Sequence, residues 1–495
     1  MSIERATSVR NYNQLYVGGR WVAPATDRHI DVIDPASEEV IGRVPACSPE
    51  DVDRAVQAAR SALIVWAKTP VADRTAAVRR IAEVLLTRVD ELATLIQTEV
   101  GAPINFAYAM QAAMPSVLMR TMADVATSYP FVEQSDDVVL LREPVGVVGA
   151  ITPWNFPAQD IGVKVASALS AGCTIVLKPS ELAPLNAFLI AEAIDAASLP
   201  PGVFNLVAGT GPVVGRAIAL HPDIDMISFT GSTEIGRQIA GLAAHTVKRV
   251  ALQLGGKSAC IVLPDAPVER AVNDCLSKCF LNSGQTCTAL SRLLVPRSLL
   301  REAEEVAIAS LQQFTPGHPS SPETVVGPLI SAQQRDRVRG YIGIGSSEGA
   351  RLIAGGTEPP AGLSRGYYVK PTIFSDVDSS MTIARDEIFG PVLAILAYRD
   401  ERDAVEQAND NPYGLSASVW SADIERAMKV GALLRVGQVE INGGNVAISA
   451  PFGGTKQSGH GREMGREGLE EYLAVKAVLL ASSGGGRKGG SDGLV

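Results

Sequence analysis

Hydrophobic positions along the chain follow two periods, and each predicts a different element. From Ser48 onward the apolar residues Val52, Val56, Ala59 and Leu63 fall on one helical face. Ser48-Pro49-Glu50-Asp51 before them reads as a cap, a first-turn proline and acids at the positive helix end. A second helical region spans about 73 to 101, with a break near Asp90. From 145 the texture changes. Short, nearly continuous apolar runs (VGVVGAIT, CTIVLK, VFNLVAG, DMISFTG and RVALQLG) alternate with helical stretches ending at Gly172, running from Pro184 to about Ala197, and starting at Gly211 and Ser232. Strands apolar on both sides belong to a parallel sheet covered by helices, so the class is α/β. Ligands of such sheets bind beyond the carboxyl ends of the strands. Those ends read TPWNFP, KPSE, AGTG, TGST and LGGK.

A second alternating region runs from SACIVLP (258–264) to about 445 and contains Cys287, so a separate lobe is expected. YLAVKAVLLA reads as a late strand, and the Gly/Ser-rich stretch after it (483–495) as a flexible tail. No internal repeat is visible.

Composition narrows the function classes. Hydrophobic residues make up 46% and charged residues 20%, and the net charge of −9 is spread without a basic stripe, which gives nucleic acid no footprint. The N-terminus carries early charges and no apolar core, and no uncharged apolar run reaches the roughly 18 residues of a membrane span. The six cysteines (47, 173, 260, 275, 279 and 287) form no CxxC pair. Cys275 and Cys279 have helical spacing but lack further ligands for zinc. Reduced thiols in a cytoplasm are expected, with Cys173 and Cys260 in the core.

The glycine loops carry the first chemistry. GTGPVVG (209–215) follows a strand and opens a helix, but its third glycine comes one residue late for a dinucleotide fingerprint. GSTEIG (231–236) sits at the next such junction, where backbone N–H groups bind phosphate or Ser232 simply caps the helix. Lys178 ends a strand, facing an anion or solvent. Together, at one sheet edge, these loops favour a nucleotide.

PWNFP, KPSE, FTGSTEIG, LGGKS, GQTC, EIFGPV and PFGG occur in this order. The set resembles the motifs of the NAD(P)-dependent aldehyde dehydrogenase superfamily over about residues 14 to 482. That resemblance implies a Rossmann-type NAD-binding domain (1–130 and 145–255), an α/β catalytic domain (256–455), and a β-strand oligomerisation arm with a C-terminal segment (131–144 and 456–482). Paired arms imply a homodimer or homotetramer.

By the same resemblance, Cys287 is the nucleophile that forms a thiohemiacetal with the aldehyde, its pKa lowered by a helix N-terminus or nearby N–H groups. Asn155 is the side-chain oxyanion donor beside the Cys287 N–H, worth roughly 3–4 kcal/mol. Lys178 and Glu181 bind the adenosine ribose, and the Glu181 carboxylate favours NAD while leaving NADP possible. Trp154 lines the cofactor cleft, Ser232 meets the pyrophosphate, and Gly211, Gly231 and Gly236 permit close approach. Glu387 holds the nicotinamide ribose, with Phe389 beside the ring.

One position departs from the pattern. Hydrolytic members open ELGGK with a general-base Glu; this chain has Gln253. An amide cannot accept and pass on a proton at neutral pH, and general-base help is worth about 10²–10⁴ in rate. Three explanations stand: another carboxylate serves, Glu463 in GREMG being the candidate; the acyl group goes to coenzyme A; or Gln253 is an engineered trap or marks a slow or non-catalytic member. A protein that binds NAD without turnover and a thiol amidase are the rival classes. The substrate pocket is assigned to Phe156, Asp160 and Val163, then Val446, Ile448 and Phe452. Its few aromatics suggest a medium-sized hydrophobic or aromatic aldehyde and offer no cage for a quaternary ammonium. Asp160 there faces either a polar or cationic group of the substrate or solvent.

Overall fold

The apolar runs after residue 145 form the strands Val147–Ile151, Thr174–Lys178, Phe204–Leu206, Met226–Thr230 and Arg249–Gln253, all mutually parallel. The computed structural model describes residues 10–445 and 447–481; Val446 and the 483–495 tail lie outside the described residues. The strand beginning at Val147 lies between those beginning at Thr174 and Met226, so the winding direction reverses beside it. Open α/β sheets form their ligand crevice at such a reversal. Two short strands absent from the sequence reading, Leu15–Val17 and Arg20–Val22, extend the other edge in antiparallel fashion. A hairpin, His29–Ile33 with Val40–Pro45, was likewise not foreseen.

The early helices run over Pro49–Trp66, Val71–Leu86 and Val89–Val100, and the first carries a Ser48/Asp51 capping box. Pro157–Ala171 crosses the core, with proline in its first turn and Gly172 left-handed at its end (φ 96°). Met114–Ser128 packs against it, and Gly162 allows the approach: a Cβ there would stand 3.0 Å from the Pro115 Cα.

The second region forms its own seven-stranded sheet, ordered from Arg351–Ala354 through Thr372–Ser375, Val392–Tyr398, Arg292–Pro296, Ala259–Val262 and Ser416–Trp420 to Gln438–Ile441. Only its first strand is antiparallel. Side chains alternate between its faces: Ala259, Ile261 and Leu294 enter one core, Cys260, Val262 and Leu293 the other. Cys275 and Cys279 lie in that second core as apolar groups. Leu473–Leu479 pairs antiparallel with Val138–Pro144, which pairs in turn with Val132–Gln134. Among the described residues no helix is long and apolar enough to cross a membrane.

Candidate active site

The loop before Cys287 is held in an uncommon shape. Asn282, Ser283 and Gly284 are successively left-handed, with φ of 51°, 59° and 75°. Asn tolerates this region, and glycine adopts it freely. A Cβ on Gly284 would come 2.2 Å from the Gly390 carbonyl, so this glycine lets the GQTC loop pack on EIFGPV. The Ser283 hydroxyl donates to Gly327 O at 2.9 Å. Gln285 is buried and works in both directions: its Oε1 accepts from Ile330 N (2.9 Å) and its Nε2 donates to Asn282 O (3.3 Å).

Cys287 follows in a turn, half-buried, rather than at a helix N-terminus. Its thiol is pushed up, contrary to the lowering expected from the sequence. Burial is the main cause, and the charges of Asp160, Glu387 and Glu463 add to it. The Asn155 amide, buried beside this loop, donates to Gln285 O at 3.0 Å. Its backbone carbonyl accepts from Asn282 Nδ2 (2.9 Å) and Gln111 Nε2 (3.3 Å).

The two glycines of LGGK have separate reasons. A Cβ at Gly255 would fall 2.0 Å from a Glu387 carboxylate oxygen, and one at Gly256 2.6 Å from Cys287 O. The Gly256 N–H donates to Glu387 Oε1 at 2.9 Å. Burial raises Glu387 to about 7, against the lowering influence of that N–H, Arg337 and Lys257. Lys257 itself is buried, and its side-chain nitrogen has no hydrogen-bond partner among the described residues.

Gln253 ends its strand, in register with Thr230. Its Nε2 donates to Phe452 O at 3.2 Å, while its buried Oε1 has no partner among the described residues. Glu463 is not the solvated helix charge that sequence alone would favour. It is buried, bridges Phe452 through the backbone, and accepts from Lys164 Nζ at 2.5 Å. Lys164, missed in the sequence, also donates to Ser228 Oγ at 3.1 Å. Asp160 lies beside this pair. Burial and the Glu463 charge raise it to about 7, while Lys164 and the Thr230 hydroxyl act to lower it.

Lys178, at the carboxyl edge of the first sheet, is also buried rather than solvated. It donates to Pro179 O (2.8 Å) and Glu181 Oε2 (3.1 Å), and the other Glu181 oxygen accepts the Gly211 N–H at 3.0 Å. Burial lowers Lys178. For Glu181, the upward push of burial is outweighed by Lys178 and the Gly211 N–H. Ser232 caps the helix Thr233–Ala243 by accepting from Ile235 N at 3.3 Å, and a Cβ at Gly236 would meet Leu254 at 2.6 Å. Gly231 must be small because of the Phe229 ring, 2.5 Å from where its Cβ would be. The Trp154 and Phe389 rings meet edge to face at 5.4 Å, which brings the PWNFP and EIFGPV loops together.

Of the expected pocket residues, Val163, Ile448 and Phe452 share one small apolar cluster with Met114, Leu118 and Met464. Those last three were missed. The helical spacing of Leu118, Met119, Met122 and Ala126 would have revealed the helix that carries Met114 and Leu118; Met464 precedes a different helix, Gly465–Glu470. Phe156 stands apart and meets Phe106 edge to face at 5.9 Å.

Two wound sheets, with a thiol on the loop that leads into Arg292–Pro296 of the second, define the class as a two-sheet α/β protein. More particularly, the model of the aldehyde dehydrogenase family matches residues 21–478, and the chain belongs to that family. It is 47% identical over 472 residues to a 3-succinoylsemialdehyde-pyridine dehydrogenase from a Pseudomonas species, covering 95% of this chain and 99% of that one. Its fold matches aldehyde dehydrogenase C of Pseudomonas syringae, solved with NAD+ and octanal (TM-score 0.93, 46% identity, 96% and 97% of the two chains). It also matches a Mycobacterium tuberculosis aldehyde dehydrogenase in complex with NAD+ (TM-score 0.94, 41% identity, 96% and 99%).

Proposed function

We propose that this protein oxidises an aldehyde to a carboxylic acid with NAD, through an acyl group carried on Cys287. The observation that carries the reading is the convergence of the Cys287 turn, the Asn155 amide and the Glu387 loop at the carboxyl edge of the dinucleotide-type sheet. The cofactor groove suits NAD. Glu181 and Lys178 offer an acceptor and a donor for ribose hydroxyls, the Ser232 helix start offers N–H groups for a diphosphate, and Trp154 and Phe389 line the inner end. A carboxylate at Glu181 disfavours a 2′-phosphate, although NADP is not barred.

In this reading the Cys287 sulfur attacks the aldehyde carbon, and the new oxyanion takes a hydrogen bond from Asn155 Nδ2 and the Cys287 N–H. The Asn155 Nδ2 carries two hydrogens, so one stays on Gln285 O while the other serves the oxyanion. Bound NAD supplies the hydride acceptor. The thioester left on sulfur is then hydrolysed. The apolar cluster of Met114, Leu118, Val163 and Met464, with Phe452 and Ile448, suits a medium-sized apolar or aromatic aldehyde; methionines adapt to different shapes. The outer edge of Leu473–Leu479, where Val475 and Leu479 are exposed, is where a second copy would pair, giving a homodimer or homotetramer. Six free cysteines fit the cytoplasm.

The test is NADH formation over a panel of alkyl and aryl aldehydes. Sustained turnover that vanishes in Cys287→Ala supports the reading. A burst that resumes only with coenzyme A would make the protein an acyl transferase. NADH formed by Cys287→Ala would refute the nucleophile.

A further inference from the structure

Hydrolysis of a thioester needs a base, and the two obvious positions do not supply one. Gln253 is an amide. Glu463 is committed to Lys164, whose side chain is fully buried and donates to it at 2.5 Å. Protonating Glu463 would strand that ammonium without a counter-charge.

Asp160 has neither handicap. It stands one turn before Lys164 on the helix Pro157–Ala171, so both project from the same face. It is half-buried, and no described residue forms an ion pair with it. The Thr230 hydroxyl is buried with no partner within hydrogen-bond distance among the described residues, and Thr230 is the register neighbour of Gln253. Asp160 therefore borders the position where a base is missing: Lys164, one turn further on, donates to Ser228, which shares a strand face with Thr230, and Thr230 pairs with Gln253. Gln253 Oε1, also unpartnered, faces the same need: an amide oxygen holds a water proton but cannot carry it away.

We propose that Asp160 is the general base for hydrolysis of the acyl group on Cys287, with Gln253 Oε1 accepting the second hydrogen of the attacking water. This rests on the reading of Cys287 as the acyl carrier. The water oxygen bonds to the acyl carbon while one of its protons passes to an Asp160 carboxylate oxygen. The carbon–sulfur bond then breaks, its electron pair returns to sulfur, and the proton on Asp160 passes to the thiolate. No oxidant or reductant enters. The groups facing Asp160 are Glu463, Lys164, the Thr230 hydroxyl and Cys287. Burial, then the Glu463 charge, raise its pKa into the range useful to a base near neutral pH, and Lys164 keeps it from rising further.

4-Nitrophenyl acetate tests this without any dinucleotide, because it acylates a thiol directly. The burst of nitrophenolate reports acylation, the steady rate reports deacylation, and intact mass shows the acyl group. Asp160→Asn is expected to keep the burst, lower the steady rate by about 10²–10⁴-fold, accumulate acetyl on Cys287 and lose the rise in rate through pH 7. Adding Gln253→Glu to Asp160→Asn is expected to recover at least about tenfold. An unchanged steady rate and pH limb in Asp160→Asn would overturn the proposal. So would loss of the burst together with the steady rate, since Asp160 would then serve acylation or the fold. If the parent protein is not acylated at Cys287, it is the acyl-carrier reading that fails.

Discussion

The Asn155 side-chain amide donates to the backbone carbonyl of Gln285, 3.0 Å away, across 130 residues of sequence. One bond thus ties the loop after the first strand of one sheet to the loop that presents Cys287 in the other lobe. Asn155→Ala removes that tie and the proposed oxyanion donor together. The turnover number is expected to fall about 10²–10³-fold with little change in KM. Steady-state kinetics with one aldehyde would show it, and a loss confined to KM would contradict the assignment.

Gly284→Ala addresses the packing of the same loop. Its φ of 75° and the 2.2 Å approach to Gly390 leave no room for a methyl group. The clash is with backbone, so the whole loop must move. A stability loss of about 3 kcal/mol or more and near-complete loss of activity are expected. Thermal unfolding and thiol-reagent labelling of Cys287 would measure both effects, and a native melting temperature would refute the packing argument.

Glu181 holds both Lys178 and the Gly211 N–H. Glu181→Ser removes the negative charge that opposes a 2′-phosphate and leaves the buried Lys178 ammonium free to meet one. The ratio of kcat/KM for NADP to that for NAD is expected to rise at least about tenfold, equivalent to about 1.4 kcal/mol. An unchanged ratio would place the ribose elsewhere.

Lys257 makes stability depend on pH. Burial, then the nearby Arg292 charge, lower it from 10.5 to about 7. Between those values the unfolded chain holds a proton that the folded one does not, so stability rises with pH across that window, by at most about 1.4 kcal/mol per pH unit. Below about 7 the full cost is present. Lys257→Met removes the amine, so its advantage over the parent should be greatest near pH 7 and shrink towards pH 10. Paired melting curves across that range check the slope, and a constant difference would show that the amine is not the cause.

What could be read from the sequence follows from how strongly each signal is written. The five strands of the first sheet are buried on both faces, so runs such as Val147–Ile151 and Thr174–Lys178 are apolar throughout and stand out. Arg20–Val22 and His29–Ile33 are short and mix polar with apolar residues, because they lie at edges, and they do not. Cys287 and Asn155 were assigned through their motifs, and the structure sets the Asn155 amide against the loop that carries Cys287. Lys164 was not, since a lysine within a helix ordinarily reaches solvent, and nothing local says that Glu463, 299 residues later, will meet it. The direction of the Cys287 shift was missed for a related reason: the burial that raises it, and the carboxylates that add to it, come from distant segments.

The ion pair between Lys164 and Glu463 also bears on how the molecule comes into being. During synthesis the central helix leaves the ribosome long before its counter-charge does, so the nascent chain must keep that ammonium hydrated until the last turns are made. The cleft can close around Cys287 only when nearly all of the polypeptide has been delivered. A product cut short before residue 463 should therefore be a substrate for chaperones and proteases rather than a weakened enzyme.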